Sequence, residues 1–305
     1  MTPEALLALA VPVLLGLLSG MLGLFPRPEA ALTALNRYAL YIAFPALIAS
    51  GLTAGAFELP TQPWFWGLLP LGMLLTVVPY AFTRHGGTLA LTSLFGNVAY
   101  VGLPLCVAVL GDAALGTISL AVSTFVVVSL LIGPVLLVRW SPGARGRSVW
   151  GTVLRQPLLW APAVGLGLRL LPEPVPSTFH ELALPIGHSA GPVALFLLGL
   201  YIWTHRRGVV GEPVALSLHL LGKLVWFPAV ITALVLGALA LGWQDTTAAR
   251  AMVLLACTPT AIATFSLAEE LGLGQQRVAQ TIVATTAVAA GTLPVVAGLV
   301  LRFVG

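Results

Sequence analysis

Charged residues are scarce along this 305-residue chain. Asp, Glu, Lys and Arg make up 8% of the sequence, hydrophobic residues make up 58%, and the mean hydropathy is +1.01. Soluble domains carry about a quarter charged residues, so the composition excludes an ordinary water-soluble protein. A charged side chain at the centre of a bilayer costs about 2.5–3.5 kcal/mol on insertion scales. The deficit therefore predicts a membrane protein.

Cysteine is also scarce, and the N-terminus lacks the basic residues of a secretion signal. Cys106 and Cys257 both lie in apolar runs, which excludes a disulfide framework and predicts reduced thiols. Residues 1–12 contain Glu4 and no Lys or Arg, so they are interpreted as part of a spanning helix. The net charge of +4 is spread over short loops and does not indicate a nucleic-acid partner.

Apolar runs of about 20 residues recur along the whole length, and each is long enough to cross about 30 Å of hydrocarbon. They predict an all-α membrane protein with ten transmembrane helices and the lipid bilayer as its surroundings. The predicted spans are 5–24, 36–56, 64–83, 88–111, 113–138, 151–171, 178–203, 214–242, 246–271 and 278–302.

The basic residues are distributed unevenly between the two sets of loops. With the N-terminus outside, ten of the fourteen lie on the cytoplasmic side, three lie outside, and Lys223 lies in a span. The cytoplasmic set is Arg27, Arg37, Arg84, Arg139, Arg145, Arg147, Arg155, Arg206, Arg207 and Arg277. The positive-inside rule then predicts a multi-pass inner-membrane protein with both termini periplasmic and residues 139–150 cytoplasmic.

Prolines recur in the same order in the two halves of the chain. Pro12, Pro45, Pro79, Pro104 and Pro134 lie in successive spans of the first half, and Pro157, Pro192, Pro228, Pro259 and Pro294 lie in those of the second. The pattern predicts two five-helix repeats, residues 1–138 and 151–305. Because five is odd, the second repeat is expected to be inverted, an arrangement typical of secondary transporters.

Two predicted spans contain clusters of helix-breaking residues. The fourth has Gly96, Asn97, Gly102 and Pro104, and the ninth has the run 257–260, with sequence Cys-Thr-Pro-Thr. We expect both helices to break near the membrane midplane and to cross there. Thr258 is a candidate N-cap and Pro259 a candidate first residue of the second half-helix.

Facing helix N-termini form an anion site, because each carries partial positive charge and unpaired N–H donors. Neither break contains a charged residue, which favours an organic anion over a proton or sodium ion as the guest. No metal, cofactor or catalytic residue is predicted. The predicted substrate-binding residues are Asn97, Tyr100, Gly102, Pro104, Thr258, Pro259, Thr260 and Thr264.

Three segments resemble the auxin efflux carrier family, which includes plant PIN proteins and bacterial dicarboxylate carriers. Residues 35–38 (Leu-Asn-Arg-Tyr) and 44–47 (Phe-Pro-Ala-Leu) are similar to its second helix. Asn97, Gly102 and Pro104 keep the spacing of its fourth helix, and residues 259–270 resemble its ninth. The likeness extends over the whole chain, although the long cytoplasmic loop of plant members is absent.

The resemblance implies a crossover fold with a scaffold and a mobile unit. Helices 1, 2, 6 and 7 would form the scaffold, and helices 3–5 and 8–10 would form the transport unit. It also implies homodimers through the scaffold and a carboxylate bound where helices 4 and 9 cross. His188, His219 and Lys223 have no match in the family's substrate site.

Other polar residues have alternative interpretations. His188 is either a proton carrier or a packing histidine. His219 and Lys223 share a helix face, and Lys223 either extends towards the cytoplasm or contacts substrate. Ser189 lies in a G-x-S-x-G pattern that needs a strand-to-helix elbow to act as a nucleophile.

Four hypotheses follow from these patterns. The leading one is a secondary carrier of a small organic anion such as a carboxylate or auxin-like molecule, alternating access by movement of the crossover unit. Outward transport is expected, since a negative cell interior favours anion exit by about 2.3 kcal/mol per charge per 100 mV. The others are a sodium-coupled symporter of the bile-acid type, a membrane-embedded serine hydrolase using Ser189, and a receptor without transport. We expect that the protein is not an enzyme.

Overall fold

The computed structural model describes residues 3–54, 59–83, 85–140, 154–205 and 213–304. Within these ranges the secondary structure is helical apart from one isolated β-bridge, so the predicted all-α class is confirmed. The chain divides into two compact units. Unit 1 is Met1–Leu59, Ala99–Ser123 and Gln156–Arg206, and unit 2 is Pro60–Val98, Thr124–Arg155 and Arg207–Gly305.

Unit 1 contains the first two predicted spans, the sixth and seventh, and parts of the fourth and fifth. Its helices are α1 (Pro3–Met21), α2 (Pro28–Tyr38), α3 (Phe44–Thr53), α6 (Leu103–Leu110), the start of α7 (Leu115–Leu137), α8 (Pro157–Arg169), α9 (Val175–His188) and α10 (Ala190–His205). A π-helix, Ala39–Ala43, joins α2 to α3, and a second one, Val98–Gly102, leads into α6.

Small residues bring the unit 1 helices into close contact. Gly16 of α1 packs against the backbone of Phe196 in α10, and Gly199 of α10 packs against the backbone of Val13. A Cβ at either glycine would overlap the facing carbonyl oxygen. Close approach through small residues is the usual way in which membrane helices associate, because lipid provides little hydrophobic drive.

Unit 2 contains the third, eighth, ninth and tenth predicted spans and the remaining parts of the fourth and fifth. Its helices are α4 (Pro63–Val77), α5 (Gly86–Leu94), the end of α7, α11 (Pro213–Leu221), α12 (Phe227–Ala240), α13 (Thr246–Ala256), α14 (Thr264–Leu271) and α15 (Gln275–Phe303). A π-helix, Gly222–Trp226, joins α11 to α12. Its core combines large apolar side chains such as Phe65, Met73 and Phe227 with many buried hydroxyl groups.

Six helices in the described ranges are long and apolar enough to cross a membrane. They are Pro28–Thr53, Pro63–Phe82, Asp112–Leu137, Val175–His205, Leu216–Ala240 and Gln275–Phe303. Shorter apolar helices are Leu7–Met21, Val98–Leu110 and Thr246–Ala256. The last two are the unbroken parts of the fourth and ninth predicted spans, where the interruption shortens the continuous helix. The ten-span count and the inverted repeat stay predictions.

Each of the three π-helices in the described ranges ends two residues before a proline. Ala43 precedes Pro45, Gly102 precedes Pro104, and Trp226 precedes Pro228 in this way. Proline has no N–H and clashes with the preceding helical turn. A π-helical turn is one local adjustment that accommodates it inside a membrane helix.

Part of the predicted cytoplasmic connection between the two halves lies outside the described residues, which exclude 141–153. The same holds for Arg84, Arg206 and Arg207, which belong to the predicted cytoplasmic charge set. The membrane orientation of the chain stays a prediction.

Candidate functional site

The helix breaks of the fourth and ninth predicted spans lie side by side within unit 2. Gly96, after the end of α5, forms an antiparallel bridge with Thr260, after the end of α13. The Asn97 N–H donates to the Pro259 carbonyl at 2.7 Å, and the Ala261 N–H donates to the Phe95 carbonyl at 2.9 Å. Backbone groups that leave a helix in lipid need such partners. The two breaks therefore satisfy one another, and we call this arrangement the paired breaks (residues 95–97 and 259–261).

Thr260 ties the paired breaks to two neighbouring helices. Its hydroxyl donates to the Thr92 carbonyl of α5 at 2.9 Å, and its N–H donates to the Thr285 hydroxyl of α15 at 3.2 Å. All three threonines are buried. This helix end is thus held by side chains that have no distinct signal in the sequence, because Thr92 and Thr285 resemble ordinary helix threonines.

Asn97 is buried at the paired breaks with its side-chain donor unused. Only 3% of the residue is exposed, and its backbone N–H is already bonded to Pro259. Within the described part of the chain, its Nδ2 group has no hydrogen-bond acceptor. An unsatisfied buried polar group costs about 1–3 kcal/mol. Such groups are rare in native structures, and a functional role is one of the explanations for those that occur.

Lys223 lies beside the same breaks, in the π-helix between α11 and α12. Its side chain is fully buried, its Nζ donates to the Ser93 carbonyl at 3.2 Å, and it lies 4.7 Å from the centroid of the Phe227 ring. A Cβ added to Gly96 would lie 3.0 Å from Lys223 Nζ and 2.6 Å from Thr258 Oγ1. The Lys223 ammonium group and the Thr258 hydroxyl therefore both lie next to the Gly96 backbone, where no side chain separates them from it.

The structure corrects the interpretation that Lys223 extends towards the cytoplasm. Its amine points into the core of unit 2 because Gly96 leaves room for it and Ser93 supplies a carbonyl acceptor. Among the described residues, the one ion pair present joins His205 to Glu29 in unit 1. Lys223 is thus a buried amine with no carboxylate partner in that part of the chain.

His219 lies one helical turn before Lys223 and is also buried. Its Nε2 lies 3.3 Å from the Thr88 hydroxyl oxygen of α5, and that hydroxyl donates to the His85 carbonyl at 2.9 Å. Since Thr88 uses its hydrogen on His85, its oxygen can accept an N–H from His219. Polar groups therefore follow α5 from His85 towards Ser93.

The ninth-span half-helix begins later than predicted. Thr258 does not cap it, because its hydroxyl donates back to the Leu255 carbonyl at 2.7 Å. Helix α14 begins at Thr264 with Ala263 before it and no side-chain cap, and Pro259 is outside the helix. Residues 259–261 are paired with the other break and so cannot also form the first helical turn. Thr264 itself donates to the Ala261 carbonyl at 2.6 Å.

The fourth-span half-helix begins well before its proline. It restarts at Val98 as the π-helix and continues into α6, so Pro104 lies inside it. Tyr100, Gly102 and Pro104 fall in unit 1, where the Tyr100 hydroxyl donates to Asn36 Oδ1 at 2.5 Å. Their inclusion in the substrate site stays a prediction.

The remaining candidates, His188 and Ser189, lie in unit 1. His188 is exposed at the end of α9, and its interpretation as a proton carrier or a packing histidine stays a prediction. The Ser189 hydroxyl lies 2.7 Å from the Tyr38 hydroxyl and donates to the Ile186 carbonyl at 2.6 Å. Helices precede and follow Ser189, whereas a nucleophile elbow needs a strand before the serine.

Replacing Gly96 by Ala tests whether the space beside Lys223 matters. The new methyl group would press on both Thr258 Oγ1 and Lys223 Nζ, so we expect a loss of substrate binding and flux of about tenfold or more, given that overpacking costs ~1–3 kcal/mol. Gly237→Ala in α12 is the matched control, because nothing lies within 4 Å of a Cβ there. Equal flux in the two variants, measured in proteoliposomes, would contradict the assignment of this space.

Comparison with known proteins identifies the family. A family model described as "Membrane transport protein" matches residues 144–297, which is half of the chain and includes Lys223 and the ninth-span break. The chain belongs to this family. The membership confirms the resemblance to bacterial transporters of the auxin efflux carrier type, and it makes the chain a multi-pass membrane transport protein.

One relative aligns with most of the chain. It is a protein of Rhizobium meliloti (strain 1021) named "Putative malonate transporter". The two are 24% identical over 291 residues, which covers 88% of this chain and 87% of the relative. The alignment thus extends beyond the half that the family model matches.

Proposed function

We propose that this membrane transport protein is a secondary carrier of a small organic anion, whose carboxylate binds Lys223 at the paired breaks. The observation that carries the proposal is the fully buried Lys223 amine with no carboxylate partner among the described residues. Removing a charge from water costs several kcal/mol even after the protein relaxes. Ionisable residues inside a membrane protein are rare and usually mark the path of a substrate or ion.

The donors at the site match the acceptors of a carboxylate. A lysine ammonium has three donors, and Lys223 uses one of them on the Ser93 carbonyl. Asn97 adds the two donors of its unpartnered amide. A carboxylate has about four acceptor positions, so one carboxylate could satisfy both side chains.

A small carboxylate is the proposed substrate class. The relative from Rhizobium meliloti is named for malonate, a three-carbon dicarboxylate. Its alignment over most of both chains supports a guest of similar size and charge here. The threonine hydroxyls near the breaks would accommodate polar substituents. Malonate is therefore the first molecule to test.

The transport cycle is proposed to be alternating access in which the unit that carries the site moves. The division into units supports this proposal, because Asn97, Lys223 and Thr258 all belong to unit 2, whereas the first, second, sixth and seventh predicted spans belong to unit 1. Residues 99–123 are an exception. They fall in the fourth and fifth predicted spans, which the resemblance assigns to the transport unit, but they belong to unit 1. We also propose that the chain consists of two inverted repeats and forms a homodimer through the scaffold. The protein would lie in the inner membrane with periplasmic termini and transport its substrate outward.

Counterflow in proteoliposomes tests the function. Vesicles loaded with unlabelled malonate and diluted into labelled malonate should accumulate label, and protein-free vesicles should not. Succinate and indole-3-acetate replace malonate in parallel arms to define the class. Sodium gradients and pH gradients are applied separately, so that sodium dependence would favour the bile-acid-type symporter. Binding of carboxylates without counterflow of any of them would contradict a carrier and favour a receptor.

A further inference from the structure

A cavity of about 590 Å³ lies in unit 2, away from the paired breaks. The N-terminal ends of α5 and α15, the loop before α15, and Trp140 form its walls. Its lining residues are His85, Gly87, Thr88, Trp140, Gly272, Leu273, Gly274, Gln276, Arg277 and Gln280. The volume falls within the usual ~300–1,000 Å³ of small-molecule sites.

The polar lining of this cavity suits an anion. Arg277 supplies a permanent positive charge, His85 supplies an imidazole, and Gln276 and Gln280 supply amides. None of the ten described lining residues is Asp or Glu, and Glu269 and Glu270 lie on α14 outside the lining. An arginine fork is the side chain best suited to bind a carboxylate with two hydrogen bonds. Trp140 provides a flat apolar wall for the carbon skeleton.

Helix α5 and a hydrogen bond between Thr88 and His219 relate the cavity to the segment that carries the buried amine. Thr88 lines the cavity and lies 3.3 Å from His219 Nε2. His219 precedes Lys223 by one helical turn, and Lys223 bonds Ser93 on the same helix as Thr88. Thr88 and Ser93 are five residues apart, a rise of about 7.5 Å along an α-helix. The cavity and the proposed substrate site thus lie along one short helix, α5.

We propose that this cavity is a second anion-binding site, which holds a small carboxylate on Arg277 and His85 before it reaches Lys223. The inference rests on the proposed function for the identity of the ligand and extends it to a second site. The charge pattern predicts that Arg277 faces the cytoplasm, so the cavity is on the side from which an exported anion would arrive.

The test introduces a cysteine into the cavity at Gln276. Peptide mass spectrometry then measures how fast anionic and cationic methanethiosulfonate reagents modify it in purified full-length protein. Gln244→Cys is the matched control, an exposed glutamine in the loop between α12 and α13. We expect the ratio of anionic to cationic rates to be about tenfold higher at position 276 than at 244, and Arg277→Gln but not Arg277→Lys to remove the difference. Equal ratios at the two positions would overturn the proposal.

Malonate protection supplies the second readout. Malonate should slow modification at position 276 severalfold and leave position 244 unchanged. Protection should persist in the Lys223→Met background, since the cavity binds malonate directly. Loss of protection in the Lys223→Met background would overturn the proposal. So would slower modification that vesicles containing anionic lipid produce and malonate does not.

The outcomes separate this proposal from the proposed function. Malonate counterflow without protection at position 276 would overturn the cavity site and leave the carrier function intact. Protection without counterflow of any carboxylate would support the cavity site and contradict the carrier.

Discussion

Replacing Lys223 by Met should abolish anion transport while leaving the protein at least as stable as the wild type. Breaking a buried charge pair costs about 3–5 kcal/mol, and about 1.4 kcal/mol corresponds to one decade in affinity, so carboxylate binding should fall by a hundredfold or more. Without substrate, the buried amine has no ion-pair partner among the described residues. An apolar side chain of similar length therefore removes a desolvation cost, and the unfolding temperature should stay the same or rise.

The measurement combines malonate counterflow with thermal unfolding of the purified protein. Arg302→Met is the matched control, because it removes one positive charge from an exposed position at the end of α15. It should keep wild-type flux. Flux in Lys223→Met comparable to that of the control would show that Lys223 is not part of the site. A large drop in its unfolding temperature would show that the lysine has a structural role instead.

Replacing Asn97 should weaken binding by about ten- to a hundredfold, because a hydrogen bond to a charged group contributes about 1.5–3 kcal/mol. Asn97→Ala removes the unpartnered donor. Asn97→Asp should be worse, since it places a negative charge where the substrate carboxylate is proposed to bind. It would also give Lys223 a partner within the protein. We therefore expect Asn97→Asp to lose binding without losing thermal stability.

Gln244→Glu is the control for Asn97→Asp, because it makes the same amide-to-carboxylate change at an exposed position. Malonate affinity is measured for all the variants in detergent, together with their unfolding temperatures. Wild-type affinity in both Asn97 variants would place the substrate elsewhere in the chain.

The sequence predicted which helices break but not where each half-helix begins. Glycine, asparagine and proline mark the fourth and ninth spans because each weakens a helix locally, and that information is present in the residues. The start of each half-helix depends on the pairing of Gly96 with Thr260, a contact between residues distant in the chain. This pairing moves the start of α14 to Thr264, and it leaves Pro104 in the interior of a helix that begins at Val98.

The burial of Lys223 is visible in the sequence only as an anomaly. A lysine within an apolar run either reaches an interface or is buried for a purpose, and the sequence does not distinguish the two. The distinction depends on Gly96, which leaves space beside the amine, and on Ser93, which supplies an acceptor. Neither residue has a signature of its own, since a helix-end glycine and a buried helix serine are common. The sequence marks Asn97 as a polar residue at a helix break, whereas its burial and its unpartnered amide follow from the packing around it.

Equilibrium binding of labelled malonate tests most directly whether the buried amine holds the substrate. The comparison is made in the Arg277→Gln background, which removes the cavity site, with and without Lys223→Met. We expect saturable binding when Lys223 is present, displaced by malonate and not by the neutral malonamide, and no binding when Lys223 is replaced. Undiminished malonate binding in the Lys223→Met protein would contradict this expectation.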